Sequence, residues 1–348
     1  MAEKQAPTLL RPEELTPARQ AIDGVLAELD RQLLGRTNLH RLVMAGILSQ
    51  GHILLEGLPG MGKTALIAAL GKLLRMDFRR VQFTPDLMPG DILGTHILQQ
   101  KADGERAMEF QPGPVFTNIL LADEINRASP KTQSALLETM QERSVTLLGT
   151  THQLPRPFFV LASQNPIELE GTYPLPEAQL DRFLFKINVP NVSEDVLADI
   201  VSSRRRGEAP APVNTLSAAA FNDVLAVMER VHLAPVIAAY IARLVSATHP
   251  ESPGLPADMA EYIQYGASPR AAIGIGEAAR AWALMNGRPT VGFEDVRAVA
   301  AAVLNHRMIL NFKARYDKVT PATIVEALIQ TLPATDLDLP STIQPVTQ

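Results

Sequence analysis

Two hydrophobic textures divide the chain. Up to about Val189 short apolar-rich stretches closed by glycine, proline or polar residues stand at 52–56, 78–83, 118–122, 158–162 and 184–189, unbroken at 53–55, 119–122 and 158–162. Short apolar runs without alternation predict strands covered on both faces, as in a parallel sheet. Helical spacing marks 17–34, with Ile22, Val25, Leu26 and Leu29 on one face, and 39–48 after the break at Leu34-Gly35-Arg36. A further helix starts at Ala65 and meets no breaker until Gly71. Another is opened by Ser129 as cap and Pro130 in its first turn, runs to Glu142 and should bury Ala135, Leu136 and Met140. Beyond Pro190 strand-like runs vanish and alanine-rich helical segments take over at 193–206, 216–231, 236–248, 269–285, 293–306 and 319–332. The change predicts a domain boundary near Asn191.

Two places interrupt the alternation of strand and helix. Short runs at 97–99 and 107–110 flank Lys101-Ala102-Asp103-Gly104, and runs at 145–148 and 152–154 flank Gly149-Thr150-Thr151; both predict β-hairpins.

The candidate chemistry sits where runs end. After the first comes Gly57-Leu58-Pro59-Gly60-Met61-Gly62-Lys63-Thr64, with Ala65 opening the helix, so a strand, a glycine loop and a helix start follow in order. That order builds a phosphate cradle: glycines let backbone N–H groups approach the anion, and the helix N-terminus adds positive partial charge. In such a loop Lys63 reaches the β- and γ-phosphates and the Thr64 hydroxyl holds Mg²⁺. The run 118–122 delivers Asp123 and Glu124 at its C-terminal end, the sheet edge where ligands bind. Asp123 is the expected second Mg²⁺ holder, and Glu124 would polarise the attacking water. The run 158–162 ends in Ser163-Gln164-Asn165; Asn165 either orients water near the γ-phosphate or serves as a turn residue before Pro166. Segment 39–48 either covers an adenine or is scaffold. Ser268-Pro269 puts Arg270 in the first turn of its helix, against the dipole, which suggests an anion for it to meet.

Length and composition narrow the classes. At 348 residues about two domains are expected. The absence of cysteine excludes disulfides and thiolate metal sites, and the 7 histidines show no close pairing that would support zinc. A net charge of −5 without a basic stripe argues against nucleic acid as partner. Arg204-Arg205-Arg206 reads as a solvated helix end. No run is long enough to cross a bilayer, and 1–14 lacks the apolar core of a signal peptide, so the expected location is the cytoplasm.

The ordered motifs resemble the MoxR family of AAA+ ATPases over roughly 33–306. Beyond the glycine loop, the resemblance rests on Thr84-Pro85-Asp86-Leu87-Met88-Pro89-Gly90-Asp91-Ile92-Leu93-Gly94 and Asp123-Glu124-Ile125-Asn126-Arg127-Ala128. It rests also on Gln164-Asn165-Pro166-Ile167-Glu168, on the run from Gly171 to Phe183 that ends Gln179-Leu180-Asp181-Arg182-Phe183, and on Gly266-Ala267-Ser268-Pro269-Arg270. The resemblance implies an α/β fold: an αβα core with a parallel five-stranded sheet over 1–190, a smaller α-helical lid over 191–333, and a flexible tail over 334–348. The hairpins near 95–112 and 143–156 correspond to the family's helix-2 and pre-sensor 1 inserts. Asn165 corresponds to the sensor 1 residue, Arg270 to sensor 2 and Arg182 to the arginine finger, with Arg127 a second candidate for contact across the subunit interface. The implied activity is Mg²⁺-dependent hydrolysis of ATP to ADP and phosphate in a ring, usually a hexamer. The implied output is chaperone-like remodelling of a client protein alongside a partner with a von Willebrand factor A domain. The rivals are a nucleic-acid-stimulated, helicase-like motor, a non-hydrolysing nucleotide switch and a P-loop kinase.

Overall fold

The computed structural model describes residues 9–100, 106–166, 171–204 and 209–334. Lys101-Ala102-Asp103-Gly104, Ile167-Glu168, Arg205-Arg206 and nearly all of the expected tail lie outside the described residues.

The first strands in chain order are β1 (Ile53–Glu56), β2 (Phe78–Gln82), a hairpin of β3 (Gly94–Gln100) and β4 (Arg106–Pro112), and β5 (Ile119–Asp123). A second hairpin, β6 (Ser144–Leu147) and β7 (Thr150–Gln153), precedes β8 (Phe159–Gln164) and β9 (Phe185–Asn188). Five of these form one sheet in the order β2-β5-β8-β1-β9, all of its pairings parallel. The strands sort their side chains with period two, as the pleat requires. Ile53, Leu55, Ile119, Leu121 and Leu161 face one core, shared with the first helices and the C-terminal helices. Leu54, Leu120, Ala122, Val160 and Ala162 face a second, closed by Leu136, Leu137 and Met140 of the Pro130–Glu142 helix. Ala135 on that helix is only half-buried. Burial on both faces is why these strands read as continuous apolar runs.

The strand register sets up the functional edge. Glu56 pairs with Gln164, and Gln82 pairs with Asp123. The ends of β1, β2, β5 and β8 therefore finish level with one another. The two hairpins pack together through Phe110, which stacks on His152 at 3.9 Å between ring centres, with His96 and Phe116 against the same rings.

Several elements depart from the sequence reading for local reasons. The first helix starts at Pro12 and carries Pro17 inside it; Pro12 in its first turn and Glu14, which accepts from the Arg11 N–H at 2.9 Å, set the start. The helix after the glycine loop runs Lys63–Leu73, straight through Gly71. A Cβ at Gly71 would lie 2.9 Å from Phe78 Cγ, so this glycine serves close packing on β2 and stops nothing. Arg204 is no solvated end: its guanidinium donates to the Arg31 and Gln32 carbonyls, capping the Pro12–Gln32 helix. Past Pro190 the chain does return to strand, in the short antiparallel pair β10 (Ile263–Tyr265) and β11 (Ile309–Leu310). Such short strands carry no readable period.

Two buried histidines brace this frame. The His52 Nδ1 accepts from the Val160 N–H (3.0 Å), leaving Nε2–H to donate to the Met140 carbonyl (3.1 Å). His306 bonds the Phe183 carbonyl through Nε2 at 3.0 Å. Burial lowers both pKa values from 6.5, His52 to about 4 and His306 to about 3, with the Arg307 charge adding to the effect at His306. Below about pH 6.5 the unfolded chain takes up protons that the folded one refuses, so stability falls as pH drops toward these values. Urea midpoints should decline between about pH 6.5 and pH 5, before most carboxylates titrate, and a His52→Gln/His306→Gln variant should lose most of that slope.

Candidate functional site

The glycine loop turns twice through left-handed backbone, at Gly60 (φ 79°) and Gly62 (φ 76°), the second being the residue before the Lys63–Leu73 helix. A side chain would strain both. The loop curls over a cavity of about 380 Å³ lined by Pro59–Ala65, Arg80, Gln82, Asp123, Glu124, Ser163 and Asn165. Lys63, Thr64, Asp123, Glu124 and Asn165, separated by as much as a hundred residues in sequence, thus share one chamber. Lys63 Nζ donates to the Gly57, Leu58 and Gln164 carbonyls at the loop's root.

Asp123 is the fixed point of this chamber. Its side chain is 8% exposed, and each oxygen is occupied. Oδ1 accepts from Ser163 Oγ at 2.6 Å; Oδ2 accepts from Thr64 Oγ1 at 3.1 Å and from Arg80 at 2.8 and 3.2 Å. The two sequence-predicted metal holders, Thr64 and Asp123, therefore meet. Their oxygens, a hydroxyl and a carboxylate, are the hard donors Mg²⁺ takes.

Glu124 has φ 56°, left-handed backbone that a non-glycine residue adopts only under constraint. Its N–H donates to Ser163 Oγ (2.9 Å), which holds the turn. The turn aims its carboxylate into the chamber, where Oε2 accepts from Gln82 Nε2 (2.8 Å) and Arg127 (3.0 Å). Arg127, expected as a candidate for an intersubunit contact, is here tied to its own chain's glutamate. Asn165 is buried beside them, its carbonyl accepting from Asn126.

Arg182 and Arg270 are not in this chamber. They line a separate cleft of about 560 Å³ with Gln50, Arg143, Glu277 and Arg307. Arg182 donates to the Leu137 carbonyl at 2.8 Å. Arg270 meets its anion within the chain, Asp181 at 3.6 Å. Ser268, at the N-cap position of that helix, spends its hydroxyl on Asp181, at 3.1 Å from both oxygens. Beneath them Arg307, 4% exposed, uses all five N–H groups: Nε on Asp181 Oδ1 (2.8 Å), the rest on the Asp181, Phe183, Leu184 and Val303 carbonyls.

Known proteins resemble this chain in sequence and fold. Residues 52–185 match the family model described as ATPase family associated with various cellular activities (AAA), and residues 256–328 match the AAA lid domain. Chaperone MoxR1 of Mycobacterium tuberculosis is 43% identical over 92% of this chain and 84% of its own. Protein MoxR of Paracoccus denitrificans is 35% identical over 88% of this chain and 94% of its own. The chain belongs to the MoxR family of AAA+ ATPases. A crystal structure of a Cytophaga hutchinsonii protein, itself thought to be an ATPase, superposes with a TM-score of 0.83 at 40% identity, covering 92% of this chain and 97% of that one.

This MoxR-family chain accordingly joins a five-stranded α/β core to a helical lid and is a nucleotide-binding ATPase. Among the described residues no helix is long and apolar enough to cross a membrane. Three chamber residues escaped the sequence reading: Arg80, Gln82 and Ser163. Arg80 and Gln82 lie at i and i+2 on one face of β2, but Arg79 on the other face is exposed too, so the local pattern does not single them out. Ser163 stood in view beside Asn165, but only the pairing of β5 with β8 gives it a partner.

The Arg307 knot yields a stability prediction. Arg307→Met strips Asp181 of its closest cation and leaves several buried carbonyls unanswered, and should cost about 3 kcal/mol. Urea denaturation measures this; a loss below about 1 kcal/mol would mean the knot is not what holds the lid to the segment carrying Arg182.

Proposed function

We propose that this protein is a Mg²⁺-dependent ATP hydrolase that works as a ring, usually a hexamer, and couples the nucleotide cycle to remodelling of a client protein. One observation carries the reading. The phosphate loop, Asp123, Glu124 and Asn165 share one chamber, while Arg182 and Arg270 occupy another cleft of the same chain. A complete hydrolytic site then needs the chamber of one protomer and the arginines of its neighbour.

In this reading Gly57–Ala65 wrap the triphosphate, Lys63 moves from the loop carbonyls onto the β- and γ-phosphates, and Thr64 and Asp123 hold the metal. A Mg²⁺ ion held by them would supply charge neutralisation to the triphosphate. Glu124 is released from Gln82 and Arg127 to accept the proton of the attacking water, and Asn165 orients that water. Arg182 stabilises charge on the transferring phosphoryl group from the next protomer, an effect of about 10³–10⁵ in rate where such fingers have been measured. Arg270 assists from the same side. The division into an α/β core over 1–190 and a lid over 191–333 belongs to this reading, as do a cytoplasmic location and a partner with a von Willebrand factor A domain. The chaperone name of the M. tuberculosis relative supports client remodelling. The net charge of −5 weighs against a nucleic-acid motor.

Complementation tests the shared site. Glu124→Gln and Arg182→Ala should each bind ATP and turn over at about a hundredth of wild type or less. Mixed, they should regain activity, because an intact chamber of one variant then meets an intact Arg182 of the other. A mixture no more active than its components would sink the shared-site reading. For the output, Glu124→Gln loaded with ATP should retain a co-produced von Willebrand factor A partner on a column and release it in ADP. Equal retention in both nucleotides would remove the coupling.

A further inference from the structure

Arg80 occupies the position where a cation is needed. It stands on β2, half-exposed, and reaches across to β5, where Nε (3.2 Å) and one terminal nitrogen (2.8 Å) both donate to Asp123 Oδ2. Thr64 Oγ1 donates to the same oxygen, while Ser163 holds Oδ1. A carboxylate oxygen offers about two lone-pair directions, so Oδ2 with three donors has no room for a metal ion as well. Thr64 belongs to the expected metal set. The donor that must leave is Arg80.

We propose that Arg80 is a resident counter-ion for Asp123, and that the divalent cation enters this site by exchange with the Arg80 guanidinium. The proposal rests on the reading of Asp123 as a metal ligand. Asp123 is nearly buried, and a buried carboxylate without a positive partner is costly. The guanidinium provides that partner until the metal takes over. It can leave because its own side chain is 51% exposed. It also has a second anchor, Gln82 Oε1 at 3.0 Å, on which to remain. The arginine fork is suited to such an exchange, since it donates twice to one oxygen and once to the neighbouring amide, which a lysine ammonium does not reproduce.

The test uses full-length wild type, Arg80→Gln, Arg80→Lys and Asp123→Asn with saturating ADP, so that no turnover intervenes. Mn²⁺ is titrated in and its free fraction read by electron paramagnetic resonance. Arg80→Gln should bind Mn²⁺ about three- to tenfold more tightly than wild type, the scale of a half-exposed ion pair with charge-assisted hydrogen bonds. Arg80→Lys should fall between them. With EDTA in place of metal, Arg80→Gln should bind ADP more weakly than wild type, because Asp123 then faces the phosphates uncompensated. Unchanged or weaker Mn²⁺ binding by Arg80→Gln, with binding lost in Asp123→Asn, overturns the exchange and leaves Arg80 a structural tie. Retained binding in Asp123→Asn overturns the metal assignment itself, and the exchange with it.

Discussion

The carboxylate of Asp123 is the constraint on which the rest of this structure turns. It is nearly buried at the end of β5, and a charge in that position persists only when neighbouring strands bring donors to it. Ser163 arrives from β8, Arg80 from β2, and Thr64 from the helix that follows β1 and the glycine loop. The strand order and parallel register deliver these partners together. Slipping a strand by one residue would turn its donor to the other face of the sheet. The apolar core on each side of the sheet therefore fixes the polar geometry at its edge.

The same logic keeps a second group of charged side chains apart from this one. Arg270 and Arg307 are organised around Asp181, which accepts from Ser268 as well, while the neighbouring Arg182 is held by the Leu137 carbonyl. That knot ties the segment after β8 to the start of the helix Pro269–Met285. The arginines' cleft is distinct from the phosphate chamber. On the proposed function, a nucleotide cycle built on both would be read out in the contact between protomers.

What the sequence disclosed, and what it hid, follows from how local each signal is. The glycine loop, the strand ending in Asp123-Glu124 and the Ser129-Pro130 helix start are contiguous patterns with their own physical reasons, and all were legible. So was the sheet, most plainly in β1, β5 and β8, where double-sided burial leaves unbroken apolar runs. Arg80, Gln82 and Ser163 were hidden because their meaning lies in strand order, which no local pattern encodes. The roles of Ser268 and Arg307 depend on a long-range partner, Asp181. Gly71 misled for the same reason: it reads as a breaker until Phe78 is seen against it. The paired strands β10 and β11 are too short to announce themselves.

The most direct measurement is a structure of the Glu124→Gln protein assembled with ATP and Mg²⁺. The account predicts a triphosphate wrapped by Gly57–Thr64, the metal between Thr64 and Asp123, and Arg182 of an adjacent protomer within hydrogen-bonding distance of the γ-phosphate. A nucleotide contacted by Arg182 of its own chain, or a glycine loop that holds no phosphate at saturating ATP, would contradict it.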